Sequence, residues 1–274
     1  MKIALSNIAW DRAEDADVAR LMQQHGVTGL DVAPGKLFVD PLHAADADIT
    51  AYVDFWKPYG VQIVGMQSML YGHLELKLFE SAEARQQMAE YLRAIIALAG
   101  KLGVGPMVFG SPKNRQRGDM DPQTAFDIAA TFFHEMAEVA QAHDTVLCLE
   151  PNPPHYNCDF LTTTAEALPL VQAVNHPGLR LHLDTAIMTM NGEDIAGALR
   201  SARDWLAHFH ISEPQLGAVQ AGGAVDHAHV AAQLRAIGYE GWVSIEMRGG
   251  WTQPDADSVA AALAFVTETY GGQA

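Results

Sequence analysis

The sequence predicts a closed (β/α)8 barrel, a TIM barrel, formed as a single domain over residues 1–274. Three observations point there. Short β-like runs alternate with amphipathic helical runs eight times without a break. The turn after the first strand, SNIAWD, lacks the glycine-rich fingerprint of an open, doubly wound dinucleotide-binding sheet. Helix-to-strand connections are short (HGVT, YGV, LGVG, NHPG). Strand-to-helix connections are often long (PGKLFVDPLHAAD, SMLYGHLELKLF, SPKNRQRGDMD, PNPPHYNCDF, EPQLGAVQAGGAV), which places the elaboration on one face of a barrel.

The units follow in order. KIALS is the first strand and DVARLMQQHG its helix; LDVAP leads to ITAYVDFWKPYG, and QIVGMQS to the long helix SAEARQQMAEYLRAIIALAGKLG. PMVFGS precedes PQTAFDIAATFFHEMAEVAQAHD, and VLCLEP precedes TTAEALPLVQAVN. LRLHLDT pairs with EDIAGALRSARDWL, AHFHIS with DHAHVAAQLRAIG, and WVSIEM with DSVAAALAFVTETYG. The helices carry apolar residues at i, i+3, i+4 and i+7; the strands are β-branched runs bounded by Gly or Pro.

Composition narrows the function. With 274 residues, 49% of them hydrophobic, the chain has material for one large core. A net charge of −16 repels a phosphate backbone, so nucleic acid is not an expected partner. The two cysteines, Cys148 and Cys158, form neither a disulfide framework nor a CxxC pair, and read as reduced thiols of a cytoplasmic protein. The start, MKIALSNIAWDRAED, has no basic segment followed by an apolar one, and no apolar run approaches the roughly 18 residues of a membrane helix.

The strand ends carry the chemistry. Glu150 ends strand 5, Asp184 strand 6 and Glu246 strand 8, while His210 comes from HFHISE on strand 7. Alternation puts Cys148 with Glu150, His182 with Asp184, His208 with His210, and Ser244 with Glu246 on the inward face, with the four strand-end groups at comparable height at the barrel mouth. One such carboxylate alone would read as a helix cap or the partner of a Lys or Arg. Three close together repel one another, and a divalent ion relieves that repulsion. Three carboxylates and one imidazole suit a harder ion: one Mn²⁺ is expected, with Mg²⁺ or Co²⁺ as alternatives.

At these residues the chain resembles the xylose isomerase-like TIM barrels, which include sugar isomerases, ketose 3-epimerases, keto-inositol dehydratases and endonuclease IV. The resemblance covers the whole chain and is densest in LEPNPP, LHLDTA, HFHISEP and IGYEGWVSIEM. It implies metal ligands Glu150, Asp184, His210 and Glu246, with Glu150 and Glu246 as the catalytic pair, and a homo-oligomer, dimer or tetramer. Two glutamates flanking a carbon beside a polarised carbonyl can remove and return a proton through an enediolate. Return to the opposite face is epimerisation and return to the neighbouring carbon is isomerisation; loss of a β-hydroxyl is dehydration. A metal-dependent sugar isomerase or epimerase is therefore the leading expectation, and a dehydratase of a keto-polyol or keto-sugar the alternative. An endonuclease IV-like nuclease needs further zinc ligands, of which His73 could mimic one, and a basic surface, which the charge of −16 opposes. A non-catalytic sugar-binding barrel has no use for both Glu150 and Glu246.

The ketose 3-epimerase pattern is broken at three substrate contacts: Ile187 stands where those enzymes have a histidine, Leu216 where they have an arginine, and Tyr156 where they have a glutamate. Recognition of free ketohexoses does not carry over. The basic loop GSPKNRQRG offers a replacement, with Lys113 and Arg115, beside Arg117, expected to hold an anionic group of the substrate; Arg248 is a further anion contact. Gln67 is expected to meet a substrate hydroxyl, and His155, between the residues of PPHYN, to lie near the metal. His182 and His208, two residues before ligands, are expected to support them from behind. Trp10, Phe38, Tyr71 and Trp251 fall in active-face segments, with ordinary packing the simpler reading. The expected partner is a small-molecule sugar, with phosphorylated, acidic and nucleotide-linked sugars all open, and neither nucleic acid nor membrane.

Overall fold

Apolar side chains on one face of every strand decide the architecture. In the computed structural model, which describes residues 1–272, eight parallel strands close on themselves in sequence order: β1 (Lys2–Ser6), β2 (Gly29–Val32), β3 (Gln62–Met66), β4 (Pro106–Phe109), β5 (Val146–Leu149), β6 (Leu179–Asp184), β7 (Leu206–Ser212) and β8 (Trp242–Glu246). Pairing of β8 with β1, from Lys2 opposite Trp242 to Leu5 opposite Ile245, completes the barrel. Positions 273–274 of the expected domain lie outside the described residues.

Leu147, Leu149, Leu181, Leu183, Phe209, Ile211, Val243 and Ile245 belong to the main apolar cluster together with helix residues such as Met88, Leu92, Phe133 and Val259. Burying one such side chain contributes roughly 1.5–3 kcal/mol, which makes the strand–helix layer the main store of stability. The alternate strand positions form an interior of another kind. Ser6, Asp31, His182, His208, His210 and Ser244 are all buried there. This interior is polar rather than greasy: Asp31 bonds His208 and His210, and Ser6 bonds Gln67, while His182 and Ser244 Oγ are left without a hydrogen-bond partner.

The helices are α1 (Asp15–Gln24), a short α2 (Pro34–Leu37), α3 (Asp46–Trp56), α4 (Ala82–Leu102), α5 (Pro122–Ala142), α6 (Thr164–Val174), a short α7 (Thr185–Met190), α8 (Ile195–Ala202), α9 (His227–Ala236) and α10 (Asp255–Tyr270). Ser81 and Asp121 cap α4 and α5 by accepting from the amides of Ala84 (3.0 Å) and Thr124 (2.9 Å). The sequence reading did not resolve α2 and α7, because neither is long enough to express a helical period. Among the described residues, no helix is long and apolar enough to cross a membrane.

Candidate metal and active site

The register of the strands assembles the strand-end carboxylates. Asp184 lies opposite His210 across β6 and β7, whereas Glu246 lies opposite Ser212, two residues beyond His210. The ligands are therefore staggered along the strands rather than level, as the shear of a barrel demands. One atom each from Glu150, Asp184 and His210 lies within 4.8 Å of the others. Glu246 joins from the side, its Oε2 3.3 Å from His210 Nδ1.

Each carboxylate is held by neighbours. Asp184 accepts from the Ile187 amide (2.8 Å), so capping α7, and from Ser212 Oγ (2.5 Å). Glu150 accepts from Asn152 Nδ2 (2.9 Å), and its other oxygen lies 3.4 Å from His182 Nε2. The carboxylate also passes close to the backbone of the β4 loop. A Cβ at Gly110 would sit 1.9 Å from Glu150 Oε2, so any larger residue there would push the carboxylate out of its present place. Burial pushes Glu150 above the ordinary carboxylate range. Burial, then the charges of Glu246 and Glu150, push Asp184 up to about 7. A cluster that protonates to escape its own charge is a cluster suited to a cation.

Beneath it lies an aspartate that the sequence reading did not single out. Asp31, on β2, accepts from Nε2 of both His208 (2.8 Å) and His210 (3.1 Å). Its other oxygen comes so close to β3 that a Cβ at Gly65 would stand 2.5 Å away. Burial disfavours the Asp31 charge, but the facing imidazoles hold its carboxyl well below the usual range. Burial likewise disfavours a charged His210, yet Glu246 and Asp31 raise it well above an ordinary imidazole. For His182 burial wins: with His210 and His208 alongside, it drives the imidazole well below its ordinary value, and the more distant charge of Asp31 does not offset it. With Nε2 committed to Asp31, His210 turns Nδ1 toward the carboxylates, the orientation a metal-binding imidazole needs. A second trio, His182, His208 and His210, also brings one ligand atom each within 4.8 Å. The carboxylate set is the better-suited one: its charges are what a cation would relieve, whereas His208 and His210 already spend Nε2 on Asp31.

Two hollows open above the cluster and share Pro112, Glu150 and Glu246. The smaller, about 370 Å³, is lined by Asp184, Ser212, Tyr156, Ile187 and Leu216 among others. The larger, about 560 Å³, runs between the loops after β3 and β4 past Gln67, Leu70, Tyr71, Leu74, Val108 and Lys113. Gln67 is buried, donates to Ser6 Oγ and keeps Oε1 unpartnered. Lys113 is exposed at the lip.

Four of the residues expected at the site lie elsewhere. Arg115 is fully buried, and its guanidinium donates to the backbone carbonyls of Glu150 (2.6 Å) and Phe109 (3.3 Å). It is a strut under the first carboxylate, not an anion hook in the cleft, because the β4 loop folds it inward. Arg117 ties its loop to the Asp159 and Met120 carbonyls. His155 is exposed beside Tyr156 and lines neither hollow. Arg248 stacks on Trp251, 4.2 Å from the ring centre, also outside both. Trp10 is core, donating to Asp15 (2.8 Å) against the edge of Trp56, and Phe38 packs on Tyr52. His73 lies outside the metal trios, beside Glu75 and Tyr91.

The wall of the smaller hollow is held from behind. Glu213 accepts from His227 Nε2 (3.1 Å) and the Ala224 amide (2.8 Å), and Tyr270 of α10 donates to His227 Nδ1 (2.8 Å). Burial holds His227 below its ordinary pKa, consistent with the neutral ring that this relay of hydrogen bonds requires.

A parallel barrel whose polar interior ends in a carboxylate-rich mouth defines a class of proteins that do their work where strands meet loops. Residues 19–269 match the family described as xylose isomerase-like TIM barrel, and the chain belongs to it. It is 32% identical over 112 residues to D-psicose 3-epimerase of Ruminiclostridium cellulolyticum, a match covering 41% of this chain and 38% of that protein. The aligned part is thus under half the length of that relative. It is 25% identical over 252 residues to 3-dehydro-D-guloside 4-epimerase of Escherichia coli, covering 90% and 92% of the two chains. In fold it is similar to the crystal structure of D-psicose 3-epimerase with D-tagatose from Clostridium cellulolyticum, with a TM-score of 0.81, 19% identity and 99% and 100% coverage.

Proposed function

We propose that the protein is a divalent-metal-dependent sugar epimerase or isomerase that moves a proton between Glu150 and Glu246. The observation that carries this reading is the convergence of Glu150, Asp184 and His210 on one point, with Glu246 beside His210 and both glutamates facing the two hollows. The named relatives act on ketoses and a keto-glycoside, which supports epimerisation over the dehydration weighed as its alternative.

Glu150, Asp184, His210 and Glu246 would hold the ion, Mn²⁺ first with Mg²⁺ or Co²⁺ as substitutes, because an oxygen-rich set favours harder cations. Such an ion polarises a carbonyl and offsets the negative charge that develops on it. The chain's own work is proton handling. One glutamate takes the proton from the carbon beside the carbonyl, and the other, entering protonated, returns one to the opposite face. Asp31 keeps His210 oriented; Asn152 and the Arg115 strut keep Glu150 in place. His182 and His208 take no part in the proton transfer. The enzyme is proposed to work in the cytoplasm as a dimer or tetramer, which analytical ultracentrifugation checks.

Asp184→Asn tests the metal reading, since asparagine keeps the cap of α7 and removes the charge. The parent should bind one Mn²⁺ per chain and catalyse uptake of solvent deuterium into keto-sugars; the variant should do neither at the same metal concentration. A parent that binds no divalent ion, or a variant that binds and exchanges like the parent, overturns it.

A further inference from the structure

We propose that the larger hollow holds the aglycone of a keto-glycoside, so that the sugar acted on is a ring-oxidised glycoside and not a free ketose. The proposal rests on the epimerase reading above and adds the substrate class.

Position comes first. The reacting carbon must lie between Glu150 and Glu246, and these two residues are where the hollows meet. A sugar placed there, against Asp184 and Ser212, fills the smaller hollow of about 370 Å³ and leaves about 560 Å³ beside it open. Each space is in the range of roughly 300–1,000 Å³ that encloses a small ligand, so the second has room for a substituent of its own.

The walls then say what kind. Leu70, Tyr71, Leu74 and Val108 line the larger hollow. Tyr71 is 87% and Leu74 56% exposed, among the few large apolar side chains left in solvent. Apolar surface continuous with a reaction centre is covered most economically by the unreactive part of the substrate. The polyol tail of an open-chain ketose would gain little there, nor would it from Ile187 and Leu216 in the smaller hollow. An aromatic or alkyl aglycone would gain burial against Tyr71 and Leu74.

Chemistry constrains the rest. A glycoside has its anomeric carbon locked as an acetal, so the carbonyl must come from a secondary ring alcohol. An alcohol dehydrogenase or oxidase has to supply this substrate. The step here is redox-neutral: a C–H bond beside the ketone breaks to one glutamate, and a new C–H bond forms from the other on the opposite face. The product is still a ring ketone, and a reductase is the class of enzyme that would consume it.

The test uses the full chain with Mn²⁺ in deuterium oxide, and three probes: 4-nitrophenyl 3-keto-β-glucoside, methyl 3-keto-β-glucoside and D-fructose. Deuterium uptake should give a kcat/KM at least about tenfold higher for the aryl than for the methyl glycoside, with fructose slowest, as burial of a ring against two apolar side chains allows. Tyr71→Ala and Leu74→Ser lie at exposed positions, and each should cut the aryl-to-methyl ratio by at least about threefold. Fructose exchanging as fast as the aryl glycoside, or a ratio unmoved in both variants, overturns the assignment of the larger hollow and leaves the epimerase reading standing. Exchange into none of the three overturns both.

Discussion

The two hollows above the barrel are made in opposite ways. The smaller is walled by residues at strand ends or just beyond them, and nearly every polar group around it is pinned: Asp184 by Ile187 and Ser212, Glu150 by Asn152, His210 by Asp31. The larger hollow lies between two loops, and its outer wall, Tyr71 and Leu74, stands in solvent. The contrast teaches where each task can be placed. Proton transfer needs groups fixed within a fraction of an ångström, and closed strands supply that; selectivity needs a surface that can be rewritten without disturbing the barrel, and loops supply that.

Breaking the pinned side should have the largest effect. Glu150→Gln keeps the shape and the Asn152 contact but removes the proton carrier and a charge, so deuterium exchange should fall by about 10²–10⁴-fold. Asp31→Asn takes away the carboxylate that orients His210, and Mn²⁺ affinity measured by calorimetry should weaken by about 10–100-fold. Burial and the crowding of carboxylates at the mouth together predict a pH effect with a definite sign. Asp184 is raised from 3.8 to about 7 in the folded chain, so between those values the folded state holds a proton that the unfolded state has lost. Stability of the metal-free protein should therefore decline as pH rises across that window. Asp184→Asn should remove this decline, leaving the metal-free variant more stable than the parent at pH 8 by on the order of 1–3 kcal/mol in urea melts. The loop side should yield least. Lys113→Gln, an exposed change at the lip, should alter kcat/KM for a neutral substrate by less than about threefold and leave Tm unchanged, because isolated surface charges contribute little.

What the sequence disclosed follows the same division. The eight units and the four strand-end groups were legible because strand alternation and position in a βα unit are local facts, readable a few residues at a time. Asp31 was hidden by distance: it sits in an apolar strand, GLDV, 177 residues from His208, and only closure of the barrel brings them together. Its signal was a lone carboxylate on the inward face of a strand. Arg115 misled for the converse reason. A basic residue in a polar loop reads as exposed, whereas backbone carbonyls at Phe109 and Glu150 draw it into the core. The stagger of Glu246 was also beyond reach, since shear is a property of the closed sheet and leaves no mark on any one strand.

The hydrogen-bonded line from Glu213 through His227 to Tyr270 makes the last turn of the last helix a buttress for the cleft. Loss of the Tyr270 hydroxyl alone would take that support away from His227 and, through it, from Glu213. A change at the end of α10 can therefore be felt at the active-site rim without any strand having moved.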